Sequence, residues 1–126
     1  MEKTRILLVE DEPILAELMR EDLGELGYEV VDAVGDGDMV LHAFLKHRPA
    51  VILMDIKLQG FRDGIDSAAQ IRAFYAVPIV FLSSYSEAEM APRLAKIKGY
   101  LYVQKPYDVT ELDGVIRSVT ATKTSP

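Results

Sequence analysis

Cysteine is missing from all 126 residues. Its absence excludes a disulfide framework, a Cys-ligated zinc, an iron–sulfur cluster and a thiol nucleophile, and it fits a reducing cytoplasm, the expected location. Long apolar runs are missing as well. Stretches such as Ala50 to Met54 are far too short to cross a bilayer, so no membrane span is expected. Behind Met1-Glu2-Lys3-Thr4-Arg5 the apolar segment is broken after four residues by Glu10-Asp11-Glu12, so no secretory leader is expected. Basic blocks are absent too: 14 Lys and Arg stand against 20 Asp and Glu, a net charge of −6, and the electrostatic footprint of a nucleic-acid binder is not there. A protein partner or a cation fits better than a nucleic acid.

What is present is an ordinary globular composition, 49% hydrophobic and 27% charged, in a chain of one domain's length. Five short aliphatic runs read as strands: Ile6 to Val9, Glu29 to Val34, Val51 to Met54, Ile79 to Leu82 and Tyr100 to Val103. Helical patterns lie between and after them. Leu15, Leu18, Met19, Leu23 and Leu26 recur at helical spacing behind Pro13, and Gly27 stops that helix. A second helix is expected from about Asp38 through Leu45, and a third carries Ile65, Ala68, Ile71 and Tyr75. Ser86 to Ile97 holds a fourth, and Leu112, Val115, Ile116 and Val119 mark the last. Strand followed by helix, five times, with the strands apolar on both faces, predicts an α/β domain with a doubly wound parallel sheet. The domain is expected over residues 1–119, with a polar tail over 120–126.

The fourth helix sets two local rules against each other. Ser86-Glu87-Ala88-Glu89 is a capping box that starts a helix at Glu87. Pro92 removes one hydrogen bond and collides with the preceding turn, at a cost of ~3 kcal/mol against the ~1 kcal/mol of a good cap. The expectation is therefore a helix beginning near Pro92 or kinked there, with Ser84 to Ala91 mobile.

In doubly wound sheets ligands sit beyond the carboxyl ends of the strands, where the strand order reverses. Strand one here ends in Glu10-Asp11, strand three in Asp55, strand four in Ser83-Ser84, and Lys105-Pro106 follows strand five. Three carboxylates brought together need raised pKa values or a cation, and a hard divalent ion such as magnesium suits them. Asp55 is then a nucleophile candidate, because a carboxylate can attack phosphorus to give an acyl phosphate. Ser83 and Lys105 are placed to stabilise the transferring phosphoryl group.

Taken singly these features are bland. Acidic residues before Pro13 often cap a helix, an aspartate closing a strand is more often a turn residue, and Tyr102 in a strand is ordinary packing. His42 and His47 have no second ligand at metal spacing and are read as surface residues. Gly35-Asp36-Gly37-Asp38 lacks the later acidic ligands of a calcium loop and reads as a turn with a helix cap.

Together they form a pattern. Ile6-Leu-Leu-Val-Glu-Asp-Glu-Pro13, Val51-Ile-Leu-Met-Asp-Ile56, Pro78-Ile-Val-Phe-Leu-Ser-Ser84 and Tyr102-Val-Gln-Lys-Pro106 resemble the four motif blocks of response-regulator receiver domains, over about residues 4–119. The resemblance implies a flavodoxin-like sheet of order 2-1-3-4-5 and a signalling switch, not an enzyme, with modest self-catalysed phosphoryl transfer and self-dephosphorylation. It implies Mg2+ held by Glu10, Asp11, Asp55 and the backbone carbonyl of Lys57. Asp55 would accept phosphoryl from a histidine kinase or phosphotransferase domain, Ser83 would hydrogen-bond the phosphate, and Lys105 would pair with it. Ser83 and Tyr102 would form the switch, and Lys57 and Tyr85 would flank the path of an attacking water. The resemblance also allows a homodimer through the fourth helix, fifth strand and fifth helix. One departure stands in the loop after Asp55. Gln59 occupies a place where proline is common, and the spacing to Gly64 is one residue longer than the commonest.

Two other classes compete. A magnesium-dependent phosphohydrolase using an aspartyl phosphate usually wants a carboxylate two residues after the nucleophile, where this chain has Lys57. A binding module, for a flavin or as a receiver that no longer takes phosphate, fits less well: few aromatics stand at strand ends, and Asp55 and Lys105 are both present.

Overall fold

The computed structural model describes residues 2–120. Five strands, β1 (Arg5–Val9), β2 (Glu29–Val34), β3 (Val51–Asp55), β4 (Ile79–Ser83) and β5 (Leu101–Gln104), alternate with helices α1 (Pro13–Glu25), α2 (Val40–His47), α3 (Gly64–Arg72), α4 (Glu87–Leu94) and α5 (Val109–Thr120). All strand pairs are parallel, in the order β2-β1-β3-β4-β5. The order reverses at β1 and β3, which places their ends, Glu10-Asp11 and Asp55, side by side.

β3 and β4 are buried along their whole length, which is why both read as unbroken apolar runs. Successive side chains point to opposite faces and feed two cores. Leu7, Val9, Ile52, Met54 and Phe81 meet Val40, Phe44, Ile65, Ile71 and Leu94 from α2, α3 and α4. Ile6, Leu8, Leu53, Val80 and Leu82 meet Ala16, Met19, Leu23, Leu112 and Ile116 from α1 and α5.

Five local expectations need correction. Asp38 lies in a 3-10 turn, Gly37–Met39, and α2 starts only at Val40. Tyr75 falls beyond α3, although it still packs against Phe44, with ring centroids 5.1 Å apart. On α1 the buried positions are Ala16, Met19 and Leu23, whereas Leu18 is 52% exposed.

The largest correction concerns α4. It begins at Glu87, under a complete capping box in which Ser86 Oγ accepts from Glu89 N–H and Glu89 reaches back to Ser86 N–H, and it runs through Pro92 to Leu94, short of Ile97. Of the segment Ser84 to Ala91 expected to be mobile, Glu87 to Ala91 are therefore helical. The proline is tolerated because Ala88, whose carbonyl it orphans, and Pro92 itself are exposed, so water replaces the lost donor. Leu94, 1% exposed, anchors the last turn from the other side. Thr120 closes α5 instead of starting a tail, its hydroxyl bonded to the Ile116 carbonyl, and 121–126 lie outside the described residues.

Candidate functional site

The carboxyl ends of β1, β3, β4 and β5 enclose a polar cavity of about 280 Å3 lined by Asp11, Glu12, Asp55, Lys57, Ser83, Ser84, Tyr85 and Lys105. Glu10, Asp11 and Asp55 each offer an oxygen within 4.8 Å of the others. At that spacing two full charges repel by roughly 3–4 kcal/mol at an effective dielectric of 20. Burial pushes Glu10 up from the usual carboxylate range, and the Asp55 charge adds to the effect, while the Glu12 N–H, 3.1 Å from Glu10 Oε2, opposes it. Burial likewise raises Asp55, against the opposing pull of Lys105 and of the Lys57 backbone N–H. This set of hard oxygen donors, crowded and short of positive charge, fits a divalent cation.

Lys105 is the one cation that reaches into the cluster among the described residues, its Nζ 3.4 Å from Asp55 Oδ2 and 3.5 Å from Glu10 Oε1. Its position is fixed by the backbone, since Lys105 N–H donates to the Ser83 carbonyl at 2.7 Å. Ser83 is 3% exposed, and its Oγ accepts the Tyr85 N–H at 3.1 Å. Lys57 and the half-exposed Tyr85 both line the cavity. Tyr102 is not one of its lining residues; its hydroxyl donates to the Tyr85 carbonyl at 2.8 Å and also interacts with the Ser83 side chain, so it borders the site.

The loop after Asp55 is held in a way the linear motif does not reveal. Gln59 pairs with Asp36 in an isolated parallel bridge, with Gly37 N–H donating to Gln59 O and Gln59 N–H to Gly35 O. Asp38 accepts from the backbone N–H groups of Phe61 and Arg62 and pairs with the Arg62 side chain. Gly60 adopts φ +89°, and a Cβ there would fall 2.3 Å from Asp36 Oδ1, so the turn requires glycine. The Gly35–Asp38 segment is thus the expected turn and cap, with Asp36 bonded to Asp38 N–H, and also the clamp of the long loop.

Two sequence readings change in detail. Glu12, given no role from the sequence, joins the cavity wall. His42 is exposed as expected, but His47 is half-buried and contacts Asp32 at 3.2 Å. A larger, apolar groove of about 570 Å3 between α1 and the Lys105–Leu112 segment has Asp22 and Lys105 as its charged lining groups and lacks the acidic cluster.

Residues 6–117 match the response regulator receiver domain family. The transcriptional regulatory protein PdtaR of Mycobacterium tuberculosis is 34% identical over 108 residues, 86% of this chain and 52% of that protein. The DNA-binding response regulator MtrA of Mycolicibacterium smegmatis is 34% identical over 116 residues, 92% of this chain and 50% of that protein. The chain thus spans about half the length of these curated relatives. Among solved structures, the signal receiver domain of a modulated diguanylate cyclase from Desulfovibrio desulfuricans superposes with a TM-score of 0.86 at 30% identity, covering 97% of each chain. The BeF3-activated receiver domain of RstA from Klebsiella pneumoniae gives 0.83 at 27% identity, covering 92% of this chain and 97% of that one. Sheet order, strand-end chemistry and sequence agree: the chain belongs to the response regulator receiver domain family and is a receiver of two-component signalling.

Proposed function

We propose that Asp55 is the residue that takes the phosphoryl group, and that the chain is a switch with self-catalysed transfer and hydrolysis. The observation that carries this reading is the Lys105 ammonium 3.4 Å from the buried Asp55 carboxylate, in a cavity that also holds Lys57 and Tyr85 and is walled by Ser83. An Asp55 oxygen attacks phosphorus as the bond from phosphorus to the donor's imidazole nitrogen breaks. The electron pair leaves with the imidazole, and an aspartyl phosphate remains. Lys105 and the Ser83 hydroxyl donate to the phosphoryl oxygens, preorganised charge and dipole that act without reorganisation. Glu10, Asp11, Asp55 and the Lys57 carbonyl would hold Mg2+, which when bound neutralises charge on the phosphoryl oxygens. Lys57 and Tyr85, two residues beyond Asp55 and Ser83, flank the approach of the water that hydrolyses the product.

The donor is a histidine kinase or a phosphotransferase domain, in the cytoplasm. The output face comprises α4, β5 and α5, where a homodimer would form, and this domain makes no direct nucleic-acid contact. None of its described helices is long and apolar enough to cross a membrane. The phosphohydrolase alternative is disfavoured by Lys57, a cation where an acid/base carboxylate is needed. Incubation with acetyl phosphate and Mg2+ tests the reading: the expected result is a mass gain of one phosphoryl group that decays over time, and no gain would contradict it.

A further inference from the structure

Among the side chains of α4, Leu94 is the buried one, and Pro92 removes a backbone bond from the helix. Met90 is half-buried against the same core, and the remaining hold of the helix on the domain is polar. At one end the Tyr100 hydroxyl donates to Glu87 Oε2 at 2.7 Å. At the other, the Arg93 guanidinium grips the start of α3: Nη1 lies 2.6 Å from Asp63 Oδ2, and Nη2 lies 3.0 Å from Asp63 Oδ1 and 3.1 Å from Asp66 Oδ1. Asp63 and Asp66 are also the two halves of the α3 capping box, so Arg93 holds the cap itself and not a loose surface carboxylate.

That cap abuts the phosphoacceptor strand. Gly64, the first residue of α3, donates its N–H to the Ile56 carbonyl at 2.7 Å, and a Cβ at Gly64 would fall 2.0 Å from the Asp55 carbonyl oxygen. A continuous chain of contacts runs from the Asp55 backbone through Gly64 and Asp63 to Arg93. From it we infer that the Arg93–Asp63 pair couples α4 to the state of Asp55, by a route separate from the Ser83 hydroxyl and resting on the reading of Asp55 as phosphoacceptor. Displacement of the Asp55–Lys57 backbone moves the cap, and the bidentate pair carries that movement to a helix whose apolar packing is confined to Leu94 and Met90.

Amide exchange of residues 87–94, measured with Mg2+ in the presence and absence of acetyl phosphate, tests the coupling. The intact mass of each sample reports loading. Asp63→Asn keeps a good cap acceptor and removes the charge; Arg93→Ala removes the other partner. Both variants are expected to load like the wild type. Exchange over 87–94 should rise roughly fivefold in Arg93→Ala, less in Asp63→Asn, which leaves the Arg93–Asp66 pair in place, and in the double variant no further than in Arg93→Ala alone. The change on loading should shrink to less than half. A loading-dependent change of wild-type size in both variants, additive effects in the double variant, or a loaded wild type with no change in α4 would overturn the inference. A wild type that does not load would instead contradict the Asp55 reading, and the inference would fall with it.

Discussion

Tyr102 donates its phenolic hydrogen to the Tyr85 carbonyl at 2.8 Å, and the Tyr85 N–H in turn donates to Ser83 Oγ at 3.1 Å. The aromatic of β5 and the buried hydroxyl of β4 are thus joined both directly, side chain to side chain, and through one residue of the β4–α4 loop. Tyr102→Phe should cost about 0.5–1.5 kcal/mol, the worth of one hydrogen bond, read as a lower denaturant midpoint. Ser83→Ala should slow labelling by acetyl phosphate by at least about tenfold, because a donor to the phosphoryl oxygens is lost. Wild-type labelling in Ser83→Ala would remove Ser83 from the transfer step.

The acidic cluster sets a pH dependence whose sign is fixed. Burial raises Glu10 and Asp55 in the folded chain. Between the ordinary carboxylate values and these raised ones the folded state binds more protons than the unfolded state, so the cluster's contribution to stability falls as pH rises through that window. Mg2+ should restore it at neutral pH. Asp11→Ala should raise the metal-free melting temperature by relieving repulsion and should abolish the magnesium increment. A lower metal-free melting temperature together with an intact response to millimolar Mg2+ would show that the cluster does not hold the ion.

Tyr85 lies at the cavity wall, 44% exposed, beside the path to Asp55. Its ring should slow the approach of water, so Tyr85→Ala should shorten the half-life of the aspartyl phosphate. An unchanged decay rate would rule out the gate.

The close approach of Gly64 to the Asp55 carbonyl leaves no room for a methyl group. Gly64→Ala should destabilise the fold by about 1–3 kcal/mol as the α3 cap is pushed away. Equilibrium unfolding reads the loss, and a stability within error of the wild type would mean that the cap moves freely against β3.

The strands were legible to within about one residue, because strands covered on both faces by helices must be apolar throughout. The strand-end residues were equally legible, since parallel strands all deliver their last side chains to one edge. What escaped reading depends on partners distant in the chain. Nothing local in Asp38 announces that it will hold the backbone of Phe61 and Arg62, or in Arg93 that it will grip Asp63. The start of α4 is hidden in the sequence for a related reason. The cost of Pro92 depends on whether the orphaned carbonyl faces water or protein, and only the fold decides that.

The most direct measurement locates the phosphoryl group. After incubation with acetyl phosphate and Mg2+, borohydride reduction converts an aspartyl phosphate to homoserine, and peptide mass spectrometry identifies the residue. The predicted result is homoserine at position 55 in the wild type, with no mass gain in a folded Asp55→Asn variant. Homoserine at another carboxylate, or equal labelling of Asp55→Asn, would contradict the assignment of Asp55 as the phosphoacceptor.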